Sequence, residues 1–323
     1  MSESSKKNSN QKKLVSIGIP TYNRAEDLEI CIKNILNQTY DNIEIIVSDN
    51  SSSDDKSKLL YKSNLFKNPK IRLIKNYENI GILKNTIQVL DNAKGELFCW
   101  ISDDDWRSNT FIEEMVKDIE NLGEGYICFC NYLEVINDCY PSNKHLRNKN
   151  KFNFLNSNYS FFRKLYFYIL DNANGKCNLF YSLIPTKELK KINFKKISNN
   201  WEELSMDRNI VQTLLGDNKV HINQNLLATL KVNNKKYYSI KKTNYSNNFF
   251  YKIIELVKNH NEESNLFFKQ IKDYKFKKII YIFYFLKFII LIFSRLNIKL
   301  RVFFNRNLNR HLPDEEAIKR INS

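Results

Sequence analysis

Apolar positions along the first half of the chain switch repeatedly between unbroken runs and helical spacing. Residues 14–19 form a short apolar run closed by Pro20, the mark of a strand buried on both faces. From Ala25 the pattern changes: Leu28, Cys31, Ile32, Ile35 and Leu36 fall on one face of about three helical turns. Residues 43–47 are a second strand-like run, ending in the polar stretch 49–55, and residues 71–75 are a third. Gly81 opens a helix carrying Leu83, Ile87 and Leu90, and residues 97–101 form a fourth run that passes straight into Ser102-Asp103-Asp104-Asp105. A further helix with Phe111, Ile112, Met115, Val116 and Ile119 on one face precedes a fifth run, 126–130. Strands alternating with amphipathic helices predict a parallel sheet covered on both sides. The second half is less regular. Phe161, Phe162, Leu165, Tyr166 and Ile169 predict a helix, 179–184 a strand ended by Pro185, 204–215 a helix, and 219–222 and 226–232 two short strands.

In open parallel sheets, ligands bind beyond the carboxyl ends of the strands. Three polar clusters fall at those ends: 21–24, 49–55 and 103–105. Three consecutive carboxylates after an apolar strand repel one another unless water or a cation relieves them. Hard oxygen ligands suit Mg²⁺ or Mn²⁺, and such an ion could hold a diphosphate. The triplet also reads as ordinary acids at the start of the helix near Ser108, where the helix dipole favours negative charge.

Composition narrows the classes. The chain has 323 residues, 42% of them hydrophobic, and a formal net charge of +16. That is enough for one large α/β domain with an appendage. None of the six cysteines forms a C-x-x-C pair, and the four histidines lack metal-ligand spacing, which argues against zinc and against a disulfide framework. The first residues, MSESSKKNSNQKK, lack the apolar stretch of a signal peptide, so a cytoplasmic setting is expected. Much of the charge is local. Residues 265–310 hold eleven Lys and Arg against one acid, interleaved with Phe, Tyr and Ile. That interleaving favours an anionic membrane over nucleic acid as the partner; a solvated basic face is the plain alternative.

Several spaced motifs agree, in order, with one known family. Val15-Ser16-Ile17-Gly18-Ile19-Pro20-Thr21-Tyr22-Asn23-Arg24, Ile35-Leu36-Asn37-Gln38-Thr39-Tyr40, Glu44-Ile45-Ile46-Val47-Ser48-Asp49-Asn50-Ser51-Ser52-Ser53-Asp54, Asn79-Ile80-Gly81 with Lys84-Asn85, Ala93-Lys94-Gly95-Glu96 and the acidic triplet together resemble the family 2 glycosyltransferases, over about residues 14–119. The resemblance implies a GT-A fold, Rossmann-like with a mostly parallel central sheet, and inverting transfer from a nucleotide sugar to an acceptor hydroxyl without a covalent enzyme intermediate. It places Pro20, Thr21, Tyr22, Arg24 and Asp49 at the nucleotide, with the Tyr22 ring offered to the base. Asp103 and Asp105 match the D-x-D pair, with Asp104 a further metal ligand and, with Asp103, part of the donor site. Lys84 stands where the family often has Arg and can meet a phosphate as a point charge; an exposed helix lysine is the plain reading. The general base in that family opens a helix well after the metal motif. Asp207 fits that frame best, with Glu203 and Glu202 as rivals because Met206 replaces a common acid. Trp201 reads either as an acceptor-facing wall or as core.

Residues 279–293, IIYIFYFLKFIILIF, are apolar except for Lys287 and are flanked by basic residues. Fifteen residues are short for a membrane crossing, and basic flanks suit a helix lying in the interface. Packing on protein and a true span are the alternatives. The expected plan is a disordered leader (1–12), a GT-A domain (13–235) and a basic, hydrophobic helical region (236–323) at the cytoplasmic face of the inner membrane. Relatives that build surface polysaccharides use lipid-linked acceptors there. Nucleotidyl transfer and a non-catalytic membrane or nucleic-acid binder are the rival functions; the chain lacks a Gly-rich phosphate loop after the first strand, and the intact acidic triplet weighs against the binder.

Overall fold

The structure, a computed structural model, describes residues 12–123, 125–136, 144–147, 150–170, 175–194, 206–232, 260, 264, 282 and 284–289. The chain divides into two compact units, Met1–Cys128 with Tyr181–Met206, and Phe129–Phe180 with Asp207–Ser323.

The first unit is built on a five-stranded sheet in the order β3 (Ile71–Lys75), β2 (Ile43–Asp49), β1 (Val15–Thr21), β4 (Leu97–Trp100) and β8 (Ile184–Pro185); the two-residue β5 (Trp106–Arg107) is not part of it. Strands β1 (Val15–Thr21), β2 (Ile43–Asp49), β3 (Ile71–Lys75) and β4 (Leu97–Trp100) run parallel, as the unbroken apolar runs predict. Helices α1 (Ala25–Leu36), α3 (Ile82–Asp91) and α4 (Phe111–Leu122) bury the apolar stripes read from the sequence; the short α2 (Asp55–Leu60) follows β2. In α4 all five predicted positions are buried. In α3 Leu83 and Leu90 are buried as expected, Val89 is buried as well, and Ile87 is only half-buried, because the buried face also carries Asn85 and Thr86.

The fifth member of the sheet differs from expectation. Residues 126–130 do not extend the parallel series: they begin a longer strand, β6 (Tyr126–Ile136), that belongs to a second sheet. The edge of the first sheet is instead the two-residue β8 (Ile184–Pro185), antiparallel to β4 and followed by the short α6 (Thr186–Lys190). The apolar stretch before it is a 3₁₀ turn, Lys176–Tyr181, rather than a strand. A two-residue strand has no periodicity to read.

Two glycines are set by close approach. A Cβ on Gly18 would lie 2.6 Å from Val89 Cγ2 and 2.7 Å from Phe98 Cζ, so α3 packs directly on β1. A Cβ on Gly95 would lie 2.5 Å from Leu14 O and 2.7 Å from Ser16 N. Overpacking costs about 1–3 kcal/mol. Gly95→Ala is expected to sit at or beyond the top of that range and Gly18→Ala within it, because backbone yields less than side chains. Urea unfolding followed by circular dichroism measures both; equal midpoints for the two variants would refute the distinction.

In the second unit, β6 pairs antiparallel with β7 (Lys144–Arg147) and neighbours β9 (Lys219–Val232). The two short strands expected at 219–222 and 226–232 are one continuous strand. Helix α5 (Ser160–Ile169) turns Leu165, Phe167 and Tyr168 inward and leaves Phe162 55% exposed. Its buried Arg163 donates to the carbonyls of Leu215 (3.0 Å) and Gly216 (2.9 Å) just past α7 (Met206–Leu214), satisfying acceptors that a helix end leaves over. Within 279–293, residues 282 and 284–289 are helical. Lys287 points inward, 1% exposed, with Nζ 4.0 Å from the Tyr168 ring centroid; Ile282, Phe285, Leu286 and Ile289 point outward at helical spacing. Among the described residues no helix is long and apolar enough to cross a membrane.

Candidate active site

Strand register brings the first polar cluster to the third. β1 and β4 are aligned with Gly18 beside Trp100, and the chain continues in step, with Ile101 N donating to Gly18 O at 3.1 Å. Three residues further on, Asp103 therefore lies beside Thr21, whose hydroxyl donates to Asp103 Oδ2 at 2.7 Å. β1 is flanked by β2 on one side and β4 on the other. The crevice beyond Thr21 is thus the point where strand order reverses, the usual ligand site of open α/β sheets.

Thr21 is also aligned with Asp49 at the end of β2. The two loops that follow are tied together. Asn23, at φ 52°, donates through its backbone N–H to Ser52 Oγ (2.8 Å) and accepts from Ser53 N (3.0 Å). Asp49, 3% exposed, accepts from Ser52 N at 3.1 Å and from the Ser52 hydroxyl. Asn50 joins this loop to the next by donating to Asn79 Oδ1 (2.9 Å) and accepting from Ile80 N (2.9 Å). Asn85 accepts from the Ser48 hydroxyl and donates to Ser48 O. Pro20 is half-buried, Tyr22 is 45% exposed at the rim, and Lys84 is exposed in the first turn of α3.

The three acids have different surroundings. Arg24, the residue before α1, places one nitrogen, Nη1, 2.9 Å from Asp103 Oδ1 and 2.7 Å from Asp104 Oδ2. Asp104 also accepts from the Ser102 hydroxyl at 2.6 Å. Asp105 is turned elsewhere: Arg107 Nη2 lies 3.4 Å from its Oδ2, with side-chain exposures of 1% for Arg107 and 3% for Asp105. Burial pushes the Asp103 carboxyl up to about 6, partly offset by Arg24 and the Thr21 hydroxyl. The triplet does not form a three-carboxylate cluster, and no group of three or more His, Cys, Asp or Glu among the described residues is arranged to hold a metal ion. Two carboxylate oxygens nevertheless converge on one cationic atom. That donor pair, hard and anionic, fits a divalent ion whose remaining ligands come from water and phosphate.

Sequence reasoning passed over what holds the acidic loop. Asn34 of α1 donates to Arg107 O (2.8 Å) and accepts from Arg107 N (2.9 Å). Gln38 donates to Ser108 O (2.7 Å) and accepts from Ile112 N (3.0 Å), satisfying an N–H at the start of α4. The guanidinium of Arg107 stacks over Phe111 and Tyr181. An arginine two residues past three acids was the signal available. The Tyr61 hydroxyl was also overlooked; burial, and then the charge of Asp49, raise its pKa.

In the second unit, Asp207 stands in the first turn of α7. Its Oδ1 accepts from Arg208 N at 2.6 Å, and the Cys177 thiol donates to it. Burial raises its pKa above the ordinary carboxylate range. Trp201, Glu202 and Glu203 lie outside the described residues, as do residues 1–11 and most of 233–323.

The family described as Glycosyl transferase family 2 matches residues 16–183. The chain is 28% identical over 210 residues to the abequosyltransferase RfbV of Salmonella typhimurium, covering 62% of this chain and 57% of that protein. It is 42% identical over 94 residues to the GalNAc(5)-diNAcBac-PP-undecaprenol beta-1,3-glucosyltransferase of Campylobacter jejuni, covering 28% of this chain and 29% of that one. The matched stretches thus span less than two thirds of either relative. Among solved structures, the mannosyltransferase PcManGT of Pyrobaculum calidifontis, in complex with GDP-Man and Mn²⁺, superposes with a TM-score of 0.52 at 16% identity, over 84% of this chain and 69% of that one. At that identity the likeness concerns the fold.

Proposed function

The chain belongs to glycosyl transferase family 2, and from that premise we propose that it moves a glycosyl group from a nucleotide-diphosphate sugar to an acceptor hydroxyl, with inversion and with Asp103 and Asp104 as a divalent-cation grip. The observation that carries the reading is the convergence of Asp103 Oδ1 and Asp104 Oδ2 on one cationic nitrogen at the sheet's switch point, beside the loop 21–24.

Each part of that crevice has a task. Tyr22, exposed at the rim, offers its ring face to the base. Asp49 is held by Ser52 at the end of β2, where it can accept from ribose hydroxyls. Thr21 orients Asp103 through its hydroxyl. Lys84 meets phosphate charge without the two-pronged geometry of arginine. A Mg²⁺ or Mn²⁺ ion held by Asp103 and Asp104 supplies positive charge to the departing diphosphate. Asp105 serves the scaffold through its pair with Arg107. For the proton of the attacking hydroxyl, the family resemblance supplies Asp207, in the first turn of α7 in the second unit, as general base, with Glu203 as the rival. The acceptor is a lipid-linked or surface glycan, in keeping with the undecaprenol-linked substrate named for the Campylobacter relative.

Incubation of the full chain with a panel of nucleotide sugars, with and without chelator, tests this. Release of nucleoside diphosphate, suppressed by chelator, is expected. Release of pyrophosphate would identify nucleotidyl transfer, and undiminished turnover in chelator would remove the metal assignment.

The apolar, basic tail supports work at an anionic membrane surface, taken here to be the cytoplasmic face. The outward stripe Ile282, Phe285, Leu286 and Ile289 is apolar, and the surrounding segment carries a local charge excess of ten. Inserting such a stripe while lysines meet headgroups is favourable, by about 1 kcal/mol for each basic residue near the surface. Replacing all four by Ser is expected to reduce co-sedimentation with phosphatidylglycerol vesicles at least ~10-fold, leaving nucleotide-sugar hydrolysis in solution unchanged. Equal sedimentation of both proteins would refute the interfacial reading.

A further inference from the structure

We propose that Arg24 is a built-in counter-cation that holds the acid pair before the donor arrives and then transfers to the diphosphate, making divalent cation and nucleotide bind synergistically. The proposal rests on the reading of Asp103 and Asp104 as the cation grip and adds a regulation of that grip.

Arg24 Nη1 stands 2.9 Å from Asp103 Oδ1 and 2.7 Å from Asp104 Oδ2. Divalent ions hold carboxylate oxygens at about 2.0–2.6 Å. An ion using those two oxygens therefore needs the point that the guanidinium nitrogen fills, and the two cations exclude each other. The exclusion also stabilises the protein before donor binding. Asp103 is 4% exposed and the Asp104 side chain 10%, so the pair is poorly solvated and carries two charges 2.9 Å or less from one compensating group. Adjacent buried acids without such a partner are strongly unfavourable.

The position of Arg24 in the chain decides where it goes when displaced. It is the residue before α1, its side chain makes no hydrogen bond to cap that helix, and 24% of the side chain is exposed to solvent. The first turn of α1 already carries Glu26 and Asp27, so the pull on an entering diphosphate at this helix start comes from the Arg24 guanidinium. A diphosphate entering with the metal ion brings oxygens that a guanidinium can engage with two parallel donors. Arg24 thus opposes the ion when it comes alone, and it assists when ion and diphosphate come together. Thr21, whose hydroxyl bonds the other oxygen of Asp103, keeps that carboxylate oriented through the exchange.

The test measures Mn²⁺ affinity of the full chain by electron paramagnetic resonance of free Mn²⁺, alone and with UDP, GDP, CDP or dTDP. Wild type, Arg24→Gln, Arg24→Lys and Asp104→Asn are compared. In wild type, the diphosphate that binds is expected to strengthen Mn²⁺ binding about tenfold or more. Arg24→Gln is expected to bind Mn²⁺ alone about tenfold more tightly than wild type, with a nucleotide effect reduced to what direct phosphate ligation of the ion supplies. Arg24→Lys keeps a charge near the acids but lacks the fork; it serves if the glutamine variant does not fold, and it too is expected to show a smaller nucleotide effect than wild type. A purely structural role would lower thermal stability without raising Mn²⁺ affinity. Unchanged or weaker Mn²⁺ binding by Arg24→Gln, or full nucleotide coupling in Arg24→Lys, overturns the proposal. If wild type and Arg24→Gln bind equally while Asp104→Asn does not bind, the cation grip stands and the Arg24 exchange falls. If none of the proteins binds Mn²⁺, both fall.

Discussion

Asp104→Asn is expected to lower kcat/KM for glycosyl transfer by about 10²–10³-fold while leaving the fold intact; its neighbour, Asp105→Asn, should do the reverse. The contrast follows from partners rather than position. Asp104 meets Arg24 and Ser102 near the surface of the crevice. Losing its charge weakens the grip on the cation that stabilises the leaving diphosphate, an electrostatic contribution whose removal at other active sites costs factors of this size. Asp105 faces Arg107, which is 1% exposed and stacked over Phe111 and Tyr181. Removing one member of a buried pair strands the other charge and costs about 3–5 kcal/mol. Steady-state kinetics with the preferred nucleotide sugar, together with urea unfolding of both variants, separates the two effects. Comparable kinetics for Asp104→Asn and wild type would remove Asp104 from the site.

The second large effect is at Asp207. Asp207→Asn is expected to reduce kcat by about 10²–10⁴-fold, the usual contribution of a positioned general base. The same substitution should leave stability at pH 7 unchanged or raise it. Burial places the folded pKa of Asp207 above its unfolded value of about 3.9. An acid shifted in that direction binds its proton more tightly in the folded state. Its contribution to stability is therefore fullest below the unfolded pKa and is lost as pH rises through the folded pKa. At neutral pH the wild type bears the cost of a buried charge that Asn does not carry. For the same reason the acid limb of the wild-type kcat/KM profile should lie above the range of an ordinary carboxylate. A kcat for Asp207→Asn within threefold of wild type, with kcat lost in Glu203→Gln, would transfer the role of base to Glu203.

Several motif residues that mark the family prove to be ties between elements. Gln38 satisfies the start of α4, Asn85 braces β2, Asn50 joins two loops, and Glu96 accepts from Leu14 N at 2.8 Å. Each is a polar side chain that meets backbone groups left over where a helix or strand begins or ends. A motif read only as a ligand-binding signature therefore overstates the number of residues that touch substrate.

The amino-acid sequence alone determined the four parallel strands, the faces of α1 and α4, and the three polar clusters at the carboxyl ends. Buried parallel strands are written as unbroken apolar runs and helices as spaced ones, so these features are local. Long-range contacts decided the rest. The edge strand β8 is two residues long and carries no pattern. The continuity of β9 through Asn223-Gln224-Asn225 depends on its neighbouring strand. The division of the acidic triplet turns Asp103 and Asp104 to Arg24, 79 and 80 positions away, and Asp105 to Arg107, two positions away. Three adjacent carboxylates look alike in one dimension, and only the packing of α1 against the strand ends assigns each of them its cation.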